Sequence, residues 1–206
     1  VTAGSGVAIG LPMNWGIAPT AQASALPRPG GLRAIVSGSC SNATRGQVKA
    51  FIDAGGPAIA LDPLGIASVG ALDALIDSAK YALAKGPVLV YSTAESPAVE
   101  AVQRSLGKEA AGALVEDALA KVARSLVQQG VRQLIVAGGE TSGAVVQALG
   151  IEKLRIGPQI DPGVPWCAAQ SPVARGSIHL ALKSGNFGTS DFFLKSFALL
   201  NERAAA

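Results

Sequence analysis

From Arg33 to Gly150 the chain alternates between short, continuous apolar runs and longer stretches whose apolar positions recur at helical spacing. The runs RAIVSGS, AIALD, PVLVYST and RQLIVAG are bounded by Gly, Pro or hydroxyl residues and predict buried strands. Between them NATRGQVKAFIDAG, GALDALIDSAKYALAKG and Lys108 to Gln129 carry apolar residues three and four apart and predict helices. SGAVVQALG predicts a short helix ending at Gly150. Strands that are apolar throughout are covered on both sides, so the pattern predicts an α/β fold: a mostly parallel sheet flanked by helices on both faces, Rossmann-like. After Gly150 the rhythm changes. EKLRIGPQIDPGVPW predicts two extended pieces about a turn at Asp161-Pro162-Gly163, SIHLALKSG a further strand, and TSDFFLKSFALLNER a closing helix, which together form a β-rich C-terminal extension.

The stretch from Leu11 to Gly31 is rich in Pro, Ala and Gly, lacks sustained periodicity and reads as a connector. The opening VTAGSG offers at most a fragment of strand before a glycine turn, as if continuing from a preceding domain. The expected division is residues 1–30 as the end of that domain and its linker, and residues 31–206 as one further domain.

Composition narrows the function classes. Half the chain is apolar (49%) while aromatics are scarce (4%), which suits helices packed closely on a sheet. Charge, Gly or Pro interrupts every apolar stretch well before about 18 residues, so no membrane span is expected. The N-terminus also lacks the basic start and apolar run of a signal peptide, which makes a cytoplasmic protein the default expectation. Cys40, Cys167 and the single histidine, His179, match no metal spacing, and no structural zinc site is expected. The net charge of +3 is mild and the basic residues are scattered, so nucleic acid is not an expected partner, whereas a small anion is compatible with it. A homo-oligomer is also compatible with the sequence.

Three strand-to-helix turns carry the candidate chemistry. Gly138, Gly139, Glu140 and Thr141 follow one predicted strand and open a helix, where glycines admit an anion to unpaired backbone amides. Glu140 there can accept from a sugar or base, help hold magnesium through water, or cap the helix with Thr141. SGSCSNATRGQ, residues 37–47, offers Ser37, Ser39, Ser41, Asn42 and Thr44 as hydrogen-bonding groups, with Arg45 available to an anion and Ser41 or Asn42 as the N-cap. Cys40 is expected to be a packing residue. ALKSGNFGTSDFF, residues 181–193, sets Lys183, Ser184, Gly185, Asn186 and Gly188 in a glycine loop suited to phosphate oxygens, with Ser190 or Thr189 capping the next helix. Asp191 either stabilises that first turn against the helix dipole or is a metal-linked carboxylate.

The glycines at positions 4, 6 and 10 are spaced one residue too long for a dinucleotide fingerprint, and no GxxxxGK[ST] occurs, which argues against a dehydrogenase and a P-loop NTPase. His179 alternates with Ile178 and Leu180 and reads as the polar face of a strand. Three glycine-and-hydroxyl turns at carboxyl ends of strands point to one phosphate-bearing ligand.

In this order and spacing, GSCSNATRGQ, AGGETSGAVV, GPQIDPGVPW and LKSGNFGTSDFF resemble the C-terminal nucleotide-binding domain of the four-carbon acid sugar kinases, over roughly residues 33 to 200. The resemblance implies an ATP-dependent kinase of 3-oxotetronate, threonate or erythronate, with ATP and Mg2+ as cofactors. It implies that Ser39, Gly138, Gly139, Glu140, Thr141 and Gly185 hold ATP, and leaves Asp191 as a weak catalytic candidate. It further implies an N-terminal domain, carrying an acidic motif not found here, that binds the sugar-acid substrate. By itself this portion is then expected to bind nucleotide and not to turn over. The other reading compatible with the residues is a non-catalytic module that binds a phosphorylated metabolite.

Overall fold

In the computed structural model the described residues are 7–18, 20, 25–63, 65, 68, 70–92 and 107–203. The glycine turn expected at Gly4 and Gly6 lies outside them. Among these residues seven strands form one sheet in the order β2-β3-β1-β4-β7-β6-β5. The strands are β1 (Leu32–Ser37), β2 (Ala58–Leu61), β3 (Val88–Ser92), β4 (Val131–Ala137), β5 (Arg155–Asp161), β6 (Val164–Ser171) and β7 (Gly176–Lys183). The helices that cover the sheet are α1 (Asn42–Asp53), α2 (Ala71–Leu83), α3 (Lys108–Gln128), α4 (Gly139–Ala148) and α5 (Phe192–Arg203).

Period-2 alternation on strands buried from both sides divides the core in two. Ala34 and Val36 of β1 face α2, α3 and α4 in a cluster with Ile76, Leu119, Leu126 and Val145. Ile35, between them, faces α1 and α5 in a cluster with Phe51, Trp166, Phe192 and Phe197. The few aromatics are concentrated on this second face. There Trp166 is buried, its Nε1 donates to the Ser196 carbonyl at 2.9 Å, and its ring lies 5.9 Å from that of Phe197.

The expected α/β architecture is present, and the C-terminal extension proves to be part of the same sheet. Its hairpin β5–β6 is antiparallel and β6 pairs antiparallel with β7, but β7 runs parallel to β4, placing Lys183 beside Ala137. Strands β1, β4 and β7 are therefore adjacent and parallel, and their carboxyl ends lie side by side. The connection from β1 leaves over one face through α1, whereas that from β4 leaves over the other through α4. Such a reversal opens a crevice at the strand termini.

His179 departs from its expected place on a polar face. It is 2% exposed, next to Gln133 of β4 and Ala168 of β6, because residues 25–30 run across it: its Nε2 lies 3.0 Å from the Pro27 carbonyl. Burial holds its pKa below the usual histidine value despite the bond to Pro27.

Candidate functional site: three amide-lined turns

Each of β1, β4 and β7 ends in one of the three turns singled out from the sequence. They are stitched together by backbone bonds: Gly38 and Ser39 amides donate to the Ala137 carbonyl at 3.0 and 3.2 Å, and the Gly138 amide donates to the Lys183 carbonyl at 2.8 Å. Glycine is required where they touch. A Cβ on Gly38 would lie 2.3 Å from Thr141 Oγ1. One on Gly138, whose φ is +128°, would lie 2.7 Å from the same oxygen and 3.3 Å from the Ser39 amide nitrogen.

Helix α4 starts at Gly139, three residues before the predicted SGAVVQALG, and no side chain caps it. Ser142 is the first residue whose amide reaches back, to Gly138, so the amides of Gly139, Glu140 and Thr141 have no acceptor among the described residues. On α1, Ser41 is the N-cap, accepting from the Thr44 amide at 3.2 Å, while the Asn42 and Ala43 amides have no acceptor among those residues. In the third turn the Gly185 and Asn186 amides are likewise without one. Donors from two helix N-termini and a glycine turn thus crowd the same end of the sheet, an arrangement that favours a polyanion.

The third turn is held from below by buried polar groups. The Gly185 carbonyl accepts from Ser41 Oγ at 2.5 Å, Thr44 Oγ1 at 2.8 Å and Lys183 Nζ at 3.0 Å. Gln47, 1% exposed, donates its Nε2 to the carbonyls of Phe187, Gly188 and Thr189 at 3.0, 3.1 and 3.0 Å. From the other side Asp161 accepts from the Thr189 amide at 2.9 Å, Thr189 Oγ1 at 3.1 Å and Lys195 Nζ at 2.7 Å. The roles of Gln47 and Asp161 were hidden in the sequence, since one reads as a helical polar position and the other as a turn former. Lys183 was expected at the phosphate surface and is instead fully buried beneath it.

Burial pushes the Asp161 carboxyl up, but the hydrogen bonds from Lys195 and Thr189 outweigh it, and its pKa lies below the usual aspartate value. A carboxyl with a lowered folded-state pKa stabilises the fold above its unfolded pKa, about 3.9, and that stabilisation is lost as pH falls through the folded value. Asp161→Ala is expected to cost about 2 kcal/mol at pH 7, since it leaves the Thr189 amide without its acceptor and removes the shorter ion pair of the partly exposed Lys195, which keeps Asp191 at 3.4 Å. The deficit is expected to shrink below about pH 4, as acid neutralises the wild-type carboxylate. Urea unfolding at pH 7 and pH 3 measures both; an equal deficit at the two pH values would show that the charge is not involved.

Asp191 lies at the N-terminus of α5, where its carbonyl accepts from the Leu194 and Lys195 amides. Its exposed carboxylate bonds Thr189 Oγ1 and sits 3.4 Å from Lys195 Nζ. It is thereby tied to the helix start rather than turned to the three amide-lined turns. Thr189 is occupied with Asp161, and α5 is not capped through its hydroxyl. Cys40 is exposed, contrary to the packing role expected of it, and Cys167 is the buried thiol. Arg45 donates to Asn42 Oδ1.

Beside the second turn, Glu140 projects over the start of α3. Burial and then the hydrogen bond and charge of Glu140 raise the pKa of Glu116. Glu109, Gly112, Ala113, Glu116 and Glu140 line a groove of about 480 Å³ there. Among the described residues no cluster of three or more His, Cys, Asp or Glu could enclose a metal ion, and no helix is long and apolar enough to cross a membrane.

The chain is 48% identical to a 3-oxo-tetronate kinase of Pseudomonas fluorescens over 97% of its length and 46% of that protein. It is 48% identical to a 3-oxo-tetronate kinase of Burkholderia multivorans over 99% of its length and 48% of that protein. The chain thus spans about half the length of these curated relatives. The crystal structure of a Haemophilus influenzae protein of the DUF1537 family superposes with a TM-score of 0.75 at 37% identity, over 85% of this chain and 42% of that one. Residues 34–193 match the family model of the nucleotide-binding C-terminal domain, a span that takes in all seven strands but for two residues of β1 and all three amide-lined turns. The chain belongs to this nucleotide-binding C-terminal domain family.

Proposed function

We propose that residues 31–206 form the ATP-holding half of a kinase that phosphorylates a four-carbon sugar acid, with 3-oxotetronate as the first candidate acceptor. The observation that carries this reading is the convergence of acceptor-free amides at Gly139 to Thr141, Gly185 and Asn186, and Asn42 and Ala43 at the ends of three neighbouring parallel strands. The names of the relatives support the choice of acceptor.

Phosphoryl transfer requires alignment and charge neutralisation more than covalent chemistry from the protein. Here the amides of the three turns grip the phosphates, and Ser39 Oγ stands between the first and third turns, 3.3 Å from Ser41 Oγ. Glu140 and Glu116 edge the groove beside the second turn, where carboxylates can accept from ribose hydroxyls. When bound, Mg2+ would neutralise phosphate charge, and Glu140, beside the second turn, is the carboxylate that could help hold it through water. The remainder of the full-length protein positions the acceptor hydroxyl of the sugar acid and supplies its base, and the chain on its own binds nucleotide without turnover.

Isothermal titration of the chain with ATP and magnesium is expected to give one saturable binding event. A coupled ADP-release assay on the full-length protein with 3-oxotetronate, threonate and erythronate is expected to show turnover. Absence of heat with any nucleotide from a folded sample would overturn the proposal. Binding with no ADP release on any sugar acid would identify a non-catalytic nucleotide module instead.

A further inference from the structure

Lys183 is the last residue of β7 and has no exposed surface. Its Nζ donates to Thr44 Oγ1 at 2.8 Å, to the Ser184 carbonyl at 3.1 Å and to the Gly185 carbonyl at 3.0 Å. All three partners are neutral. Asp161, the buried carboxylate among the described residues, is committed to Lys195 and Thr189, and Asp191 to Thr189 and Lys195. From α1 the groups that meet the third turn are Ser41, Thr44 and Gln47, and Arg45 adds a second positive charge on that helix. Ala137 faces Lys183 from β4. Glu140, at the start of α4, is exposed and directed to Glu116.

A buried ammonium with no counter-charge is costly to hold and stays protonated only at a penalty. Desolvation lowers the pKa of Lys183 to about 8, and among the described residues no carboxylate restores it. Its partners are also informative. In a trans peptide the carbonyl and the N–H point in opposite directions, and every peptide bond in the described chain is trans. Drawing the Ser184 and Gly185 carbonyls down to Nζ therefore turns the Gly185 and Asn186 N–H groups up, to the side where they have no acceptor.

We propose that Lys183 is a positioning residue of the nucleotide site: it aims the Gly185 and Asn186 amides at the phosphates and takes from those phosphates the counter-charge that the described residues do not supply. The proposal rests on the nucleotide reading above and adds a linkage to it, because binding the polyanion and protonating Lys183 become one coupled event. The sign follows directly. Below pH 8 Lys183 is charged in both states and affinity is flat. Above it the free site loses its proton, nucleotide binding takes that proton up again, and affinity falls about tenfold per pH unit until the bound-state pKa is reached.

The test is calorimetric titration of the chain with ADP and with ATP between pH 7.5 and 9.5, in two buffers of different ionisation enthalpy. These conditions lie above the titration of the nucleotide's own terminal phosphate. Wild type is expected to take up close to one proton near pH 9. Lys183→Arg, which cannot titrate, is expected to bind at pH 7.5 within a few-fold of wild type and to lose the pH dependence. Lys183→Met is expected to bind at least tenfold more weakly at pH 7.5 with no proton uptake. A wild-type affinity that is flat from pH 7.5 to 9.5 without proton uptake would overturn the inference and leave the nucleotide site standing, and so would proton uptake that survives in Lys183→Arg. A wild type that binds neither nucleotide would overturn the underlying site. Should Lys183→Met fail to fold, the wild-type and Lys183→Arg profiles still decide the matter.

Discussion

Gly139→Val is expected to reduce ATP affinity by about 100-fold or more while leaving the folded chain nearly as stable as wild type. A Cβ at Gly139 meets no protein atom within 4 Å, and the residue has an ordinary helical conformation at the first position of α4, so the side chain itself enters open space. Replacing glycine at an exposed helix terminus changes stability by only about 0.5 kcal/mol. Gly139 itself carries the first of the three amides, Gly139 to Thr141, that have no acceptor among the described residues. A branched side chain there holds phosphate oxygens beyond the roughly 2.9 Å that N–H donors need, and the loss of several charge-assisted bonds corresponds to about 3 kcal/mol or more. Calorimetric titration paired with thermal unfolding checks both halves. Unchanged affinity would mean that the α4 N-terminus does not touch the nucleotide.

The second large effect is expected at Gly185, and it is of another kind. A Cβ there would lie 2.5 Å from Ser39 Oγ, 3.1 Å from Ser41 Oγ and 3.2 Å from Ser41 Cβ, so Gly185→Val drives the first and third turns apart. The separation weakens the bonds from Ser41 and Thr44 to the Gly185 carbonyl and misaligns the amides beyond it. Nucleotide binding is expected to be lost, together with about 1–3 kcal/mol of stability, the usual cost of overpacking. Gly185→Ala, with one carbon, is expected to fall between wild type and the valine variant in both measurements. The contrast is diagnostic: position 139 affects ligand alone, position 185 affects ligand and fold together. Equal losses of stability at both positions would contradict the geometry of the turns.

Fully apolar strands such as Leu134 to Ala137 between amphipathic helices announced a sheet covered on both faces, because only burial on two sides removes the polar alternation. Glycine and hydroxyl residues directly after these strands announced the turns, since positive φ and close approach demand Gly at positions such as Gly138. Three features were not legible. Strand order joins partners far apart in sequence, and nothing local specified that β7 inserts beside β4 and not at the end of a separate layer. Gln47 looked like one more polar residue of α1, although it binds three carbonyls some 140 residues away. Lys183 looked like a surface cation at a loop entrance, whereas the alternation of β7 and the roof formed by α1 bury it.

The division between the two levels has a physical basis. Periodicity, turn chemistry and capping act over a few residues, so the amino-acid sequence by itself determined the elements, the three glycine turns and the family resemblance. Whether a polar group is a ligand donor, a brace or a buried charge depends on desolvation and on which partners the sheet brings within about 3 Å, and these are properties of the assembled fold. The tertiary structure alone decided that the amides after β1, β4 and β7 lie together at one end of the sheet, that Asp161 and Gln47 brace the third turn, and that the ammonium of Lys183 lies beneath that turn with no counter-charge among the described residues.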